Sequence, residues 1–137
     1  MIVKNKDMRV LIVDDVSIMR TVLKEILIDH CGIQSENIIE AKDGESAITM
    51  YETYKSDIVF LDIAMPDMDG KVVIKKLLEL YPEAIIIMCT GSSDKASVME
   101  CIRAGAKDYV RKPITVERLE KAFKNVLGDV VLKRLLQ

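Results

Sequence analysis

Five short apolar runs alternate with helical patterns along this chain, and that alternation limits its fold more than any other feature. The runs are Val10-Leu11-Ile12-Val13, Ile38-Ile39, Ile58 to Leu61, Ala84 to Cys89 and Tyr109-Val110. Apolar runs of this length, bounded by polar and turn-forming residues, read as strands buried on both faces. From Ser17, Ile18, Val22 and Ile26 interleave with Met19, Leu23 and Leu27 at i, i+4 spacing, with Arg20, Lys24, Glu25 and Asp29 on the other side. Ser17 is the expected N-cap of this first helix and Gly32 its stop. A second helix begins near Asp43 and turns Ala47, Ile48 and Tyr51 inward. The third follows Asp69-Gly70, buries Val73, Ile74, Leu77 and Leu80, and ends before Pro82. The fourth starts around Ser93-Asp94 with Val98 and Ile102 inward and stops at Gly105. The fifth opens on Thr115 and carries Leu119, Ala122, Phe123 and Val126.

Strands that alternate with helices imply a parallel sheet with right-handed crossovers and helices on both faces. No Gly-x-Gly-x-x-Gly follows the first strand, which favours a flavodoxin-like (βα)5 sheet of order 2-1-3-4-5 over a dinucleotide-binding fold. The 137 residues amount to about one domain. With a net charge of −2, nothing suggests a basic nucleic-acid surface. The run from Val10 to Val13 is cut off by Asp14 and Asp15, and the start of the chain, with Lys4 and Lys6, is too short in apolar residues for a signal peptide or membrane span. Cys31, Cys89 and Cys101 have no metal-ligand spacing and read as reduced thiols of a cytoplasmic protein.

In a parallel sheet all carboxyl ends lie on one edge, so the residues just past each run become neighbours. Asp14 and Asp15 follow the first strand, Asp62 the third, Thr90 the fourth and Lys112 the fifth. Singly, Asp62 reads equally well as a turn cap and Asp14-Asp15 as a helix-entry pair. Together they form an acidic cluster. Carboxylates about 4 Å apart repel by roughly 4 kcal/mol per pair, a cost that a divalent cation and Lys112 would offset. An oxygen-only set suits Mg²⁺. A carboxylate beside Mg²⁺, a lysine and a hydroxyl is equipped for phosphoryl transfer, with Asp62 as nucleophile.

These residues carry a family resemblance. Val10 to Asp15, Met19-Arg20, Asp43-Gly44, Leu61-Asp62, Met65-Pro66-Asp67-Met68-Asp69-Gly70, Thr90, Ala104-Gly105-Ala106-Lys107-Asp108-Tyr109 and Lys112-Pro113 resemble the receiver domain of two-component response regulators, most closely the stand-alone, CheY-like chemotaxis type. The motifs place that domain at residues 8–127. The resemblance implies that Asp62 accepts a phosphoryl group from a histidine kinase. It implies that Asp15, Asp62 and the backbone carbonyl of Ala64 hold Mg²⁺, with Asp14 acting largely through water, and that Lys112 pairs with the acyl phosphate. It further implies that Thr90 is a switch hydroxyl, that Tyr109 rotates inward on activation, and that the surface of the fourth helix, fifth strand and fifth helix meets a downstream protein target. A cis Lys112-Pro113 bond is expected on the same ground.

Ala64 and Ser92 occupy positions that vary in the family and bear on phosphoryl lifetime; both are small and uncharged, which leaves a route for water or a phosphatase. His30, near the end of the first helix, reads as a surface residue rather than a relay site. Met19, Met50, Met88 and Met99 read as core fillers and Lys75-Lys76 as a solvated face. The apolar tail, residues 128–137, extends the last helix; the alternatives are a monomer with the tail folded back on the domain, a tail-mediated dimer and a partner-docking segment. A phosphorelay intermediate or phosphate sink is a variant of the same reading. A phosphatase with an aspartate nucleophile is the enzymatic rival, but it would want an Asp-x-Asp motif that Asp14-Asp15-Val16 lacks.

Overall fold

The computed structural model describes residues 7–66, 69–91 and 95–136. The expectations placed on Lys4, Lys6, Asp67, Met68, Ser92, Ser93 and Asp94 lie outside the described residues. In chain order the elements are β1 (Val10–Val13), α1 (Ser17–Cys31), β2 (Ile38–Ala41), α2 (Gly44–Tyr54), β3 (Ile58–Asp62), α3 (Gly70–Leu80), β4 (Ile86–Thr90), α4 (Lys95–Ala104), β5 (Asp108–Arg111) and α5 (Val116–Leu135), with a 3₁₀ turn at Ser35–Asn37 before β2. All four strand pairings are parallel and the spatial order is β2-β1-β3-β4-β5. This is the flavodoxin-like order expected from the sequence.

The two-residue period of a strand divides the interior into two cores. Val10 and Ile12 of β1, Ile58 and Phe60 of β3, and Ile87 and Cys89 of β4 face α1 and α5, where they meet Leu23, Leu27, Leu119, Phe123 and Val126. Leu11 and Val13, Val59 and Leu61, and Ile86 and Met88 face the other way, onto Ala47, Tyr51, Val73, Ile74, Leu77 and Cys101 of α2, α3 and α4. With both faces covered, the central strands β1, β3 and β4 are buried from end to end and apolar up to the Asp62 and Thr90 that close β3 and β4.

Helix ends follow local chemistry. Asp43 caps α2, its carboxylate accepting from the Ser46 N–H at 2.7 Å, and Thr115 caps α5 through the Arg118 N–H at 3.2 Å. Gly32 closes α1 in the left-handed region at φ 71°. Ser17 does not cap α1: Val16 occupies the N-cap without a side-chain bond, and Ser17 is the first helical residue. The inward faces also shift by a residue from simple spacing. Ile18, Leu80 and Ile102 are exposed, while Cys31 and Cys101 take the buried positions on α1 and α4. Met99 is likewise exposed, because it lies on the outer side of α4. Each of these apolar residues sits near a helix end or on the short α4, where the sheet beneath no longer covers it.

The last helix runs on through the tail and turns it toward the amino-terminal edge of the sheet, opposite the edge that carries Asp62. Val130 is fully buried in the α1–α5 core, a contribution of roughly 1.5–3 kcal/mol. Lys133 is 8% exposed and donates to the Tyr51 hydroxyl and the Ser56 carbonyl, both at 3.0 Å. Arg134 donates to both oxygens of buried Asp57, at 2.9 and 2.6 Å, and Asp57 also accepts from the Arg9 N–H. Leu132, Leu135 and Leu136 point outward. Among the described residues no helix is long and apolar enough to cross a membrane.

Candidate functional site

Strand register brings the chemistry together. Val13 lies beside Leu61, so Asp14 and Asp62 leave the sheet as neighbours; Asp62 in turn lies beside Cys89, one residue before Thr90. Thr90 pairs with Arg111, and the Lys112 N–H then donates to the Thr90 carbonyl at 2.7 Å. The outcome is a pocket at the carboxyl edge. Carboxylate oxygens of Asp14, Asp15 and Asp62 all lie within 4.8 Å of one another. The Lys112 ammonium approaches Asp62 Oδ1 at 3.3 Å and Asp14 Oδ2 at 3.8 Å, and the Lys112-Pro113 bond is cis.

Burial and charge are unequal among these groups. Asp14 and Asp62 are buried and Asp15 is exposed. Burial pushes the Asp14 carboxyl above its ordinary range; the Val16 N–H, which donates to Asp14 Oδ1 at 2.9 Å, opposes that shift, as does Lys112, while Asp62 and Asp15 reinforce it. Three carboxylates and one ammonium leave two formal negative charges in the pocket. A divalent cation matches that excess, and the donors are hard oxygens, the set that suits Mg²⁺. The residues therefore fit the ion: Asp14, Asp15 and Asp62 are the groups able to hold it.

The loop after β3 is shaped around Asp62. The Ala64 N–H donates to Asp62 Oδ1 at 3.0 Å, which orients the carboxylate and brings the Ala64 backbone to the pocket. Gly70 begins α3 against Ile63, where an added Cβ would lie 2.7 Å from the Ile63 Cα. A side chain at that position would displace the loop carrying Ala64. Asp69 caps α3 through the Lys71 N–H at 2.9 Å.

Thr90 is 1% exposed at the end of β4. Tyr109 stands apart from the acidic pocket; it is 41% exposed and lines an open groove with Arg111, Arg118, Lys121 and Asn125. Cys89 is buried beside the pocket, and burial lifts its thiol to about 12, which leaves it an unreactive packing group. His30 is exposed in the last turn of α1. Spacing alone did not reveal Arg20 as a neighbour of the site, although it lies in the Met19-Arg20 pair. Its guanidinium donates to the Asp14 carbonyl at 2.7 Å and to Glu40 Oε1 at 3.1 Å. A strand-end tally misses a helical residue that reaches back over one turn.

With this geometry in place, comparison with known proteins is direct. The response regulator receiver domain matches residues 10–124. Chemotaxis protein CheY of Bacillus subtilis is 38% identical over 120 residues, spanning 88% of this chain and 98% of the relative. Chemotaxis protein CheY of Thermotoga maritima is 42% identical over 118 residues, spanning 86% and 96%. Among solved structures, Vibrio cholerae chemotaxis protein CheY4 superposes with a TM-score of 0.78 at 27% identity, covering 87% of this chain and 98% of that one. The match extends across the sheet, the five helices and the acidic edge, and the chain belongs to the response regulator receiver domain family.

Proposed function

We propose that this chain is a phosphorylation-activated switch whose Asp62 takes a phosphoryl group from a histidine kinase. The observation that carries this reading is the pocket itself: a buried aspartate at the end of the central strand, two further carboxylates within 4.8 Å, and a lysine ammonium at 3.3 Å. In the transfer an Asp62 oxygen attacks phosphorus, the phosphorus–nitrogen bond of the phosphohistidine breaks, and the imidazole leaves with the bond's electron pair and takes up a proton. Water later cleaves the acyl phosphate to inorganic phosphate, restoring the carboxylate. The chain thus catalyses only its own phosphorylation and dephosphorylation.

Asp14, Asp15, Asp62 and the Ala64 carbonyl would hold Mg²⁺, which when bound neutralises charge on the transferring group. Lys112, 3.3 Å from Asp62 Oδ1, neutralises further charge, and the Thr90 hydroxyl donates to a phosphoryl oxygen. Phosphorylation then favours the state in which Thr90 has moved toward the added oxygens and Tyr109 has rotated into the space it leaves. Tyr109 begins from an exposed position in a groove between β5 and α5, so its rotation would alter the surface offered to a protein target.

The likeness to CheY relatives supports a role in chemotaxis as the pathway of this switch, and the proposal puts the chain in the cytoplasm with its kinase. Transfer from an autophosphorylated chemotaxis kinase tests it. Label should appear on wild type within seconds to minutes and be absent from Asp62→Asn; labelling of both proteins alike would refute Asp62 as acceptor.

A further inference from the structure

Asp15 is the exposed acid of the pocket, and among the described residues no hydrogen bond or ion pair holds its carboxylate. Its aim is set by the backbone. Asp14 is pinned on two sides, its N–H donating to the Ala41 carbonyl at 3.1 Å and its Oδ1 accepting from the Val16 N–H at 2.9 Å. The peptide joining Asp14 to Asp15 is held by Arg20, whose Nη1 donates to the Asp14 carbonyl at 2.7 Å. Because a peptide group is planar, fixing that oxygen also fixes the Asp15 N–H and the direction in which its Cα leaves the strand. No side chain caps the amino end of α1; on that side the chain is held by the Val16 carbonyl, which accepts from the Met19 and Arg20 N–H groups at 3.1 and 3.3 Å.

Glu40 completes the arrangement. It lies on β2 opposite Ile12, and its Oε1 accepts from Arg20 Nε at 3.1 Å, so the guanidinium is gripped at two points. The ion pair also occupies the Arg20 charge outside the pocket and keeps it from competing with a cation for the three carboxylates.

We propose that Arg20, locked by Glu40, is a positioning residue that aims Asp15 into the acidic pocket and thereby sets its affinity for a divalent cation. This rests on the metal-site reading above. Arg20 touches neither the ion nor the reacting atoms and acts through the Asp14–Asp15 peptide.

The test is the Mg²⁺ dissociation constant of the full chain, from calorimetry and amide-shift titration, in wild type, Arg20→Ala, Arg20→Lys, Glu40→Gln and Asp15→Asn. Arg20→Ala should weaken Mg²⁺ binding by about tenfold or more, the scale on which groups that orient metal ligands act. Arg20→Lys keeps the charge but loses the two-point fork and should fall between, as should Glu40→Gln. A purely electrostatic role gives the opposite sign, since deleting a cation near three acids tightens cation binding. Unchanged or tighter binding in Arg20→Ala, with binding lost in Asp15→Asn, would overturn the inference and leave the metal site standing. Absence of binding in wild type would overturn both. If Arg20→Ala does not fold in a melt with EDTA, Arg20→Lys decides: wild-type affinity in that variant refutes the proposal.

Discussion

The Lys112 ammonium lies 3.3 Å from Asp62 Oδ1 and is the cation that the fifth strand supplies to three acids gathered from two others. It also touches Asp14, at 3.8 Å. Its replacement in Lys112→Met removes the opposing charge from Asp62 without unfolding β5, whose inward Val110 is untouched. Labelling of Asp62 by acetyl phosphate should slow by about 100-fold, the usual cost of losing one charge-stabilising donor. Quenched time points read by intact mass measure this; an unaltered rate would show that Lys112 has no part in transfer.

The same crowding predicts that the pocket destabilises the metal-free fold. Asp15→Asn removes one of three mutually repelling carboxylates. In EDTA it should raise stability by about 1 kcal/mol, discounted for the exposure of Asp15, or about 2–4 °C in melting temperature. Millimolar Mg²⁺ should raise the wild-type midpoint by mass action and move that of Asp15→Asn much less. A variant that melts lower than wild type in EDTA would contradict the electrostatic account.

At the opposite edge, Arg134→Ala should cost about 2–3 kcal/mol in urea unfolding, because it leaves buried Asp57 with the Arg9 N–H as its remaining partner. Labelling of Asp62 should be unaffected. Lys133 adds a pH signature. Burial holds its ammonium below the ordinary value of 10.5, against the opposing pull of Asp57 and Glu83. The folded chain therefore sheds this proton before the unfolded chain does, and between the depressed value and 10.5 the unfolded state binds more protons. Stability of wild type relative to Lys133→Met should rise with pH through that window and be lowest below it. A difference that is flat with pH, measured by paired melts, would refute the assignment.

Ala64 is exposed, its N–H bonds Asp62 Oδ1, and its side chain is only a methyl group. Ala64→Arg should obstruct the approach of water and lengthen the phosphoryl lifetime several-fold, seen by loss of the phosphorylated mass after the donor is removed. An equal lifetime would remove access at this position as a determinant.

Much of this was legible from residues alone, because strand-end positions in a parallel sheet converge whatever the details of packing. Asp14, Asp15, Asp62, Thr90 and Lys112 needed only the order of apolar runs to be placed on one edge. The helix starts at Asp43 and Thr115 were legible from local residue type. Residues whose role depends on tertiary reach were not. Arg20 acts back across a helical turn and onto β2, and Lys133 and Arg134 find Tyr51, Ser56 and Asp57, which no spacing rule connects. The pair Lys133-Arg134 within an apolar tail and Asp57 just ahead of a buried strand were the available signals. Ser17, Leu80 and Ile102 were misplaced because periodicity fixes a helix face only to within a residue near its ends.

The central claim is that Asp62 accepts phosphate. Incubation of the full chain with acetyl phosphate and Mg²⁺, followed by intact-mass measurement, tests it most directly. Wild type should gain about 80 Da, one phosphoryl group, the gain should need Mg²⁺, and Asp62→Asn should show none. A gain of the same size in Asp62→Asn, or none in wild type, would contradict it.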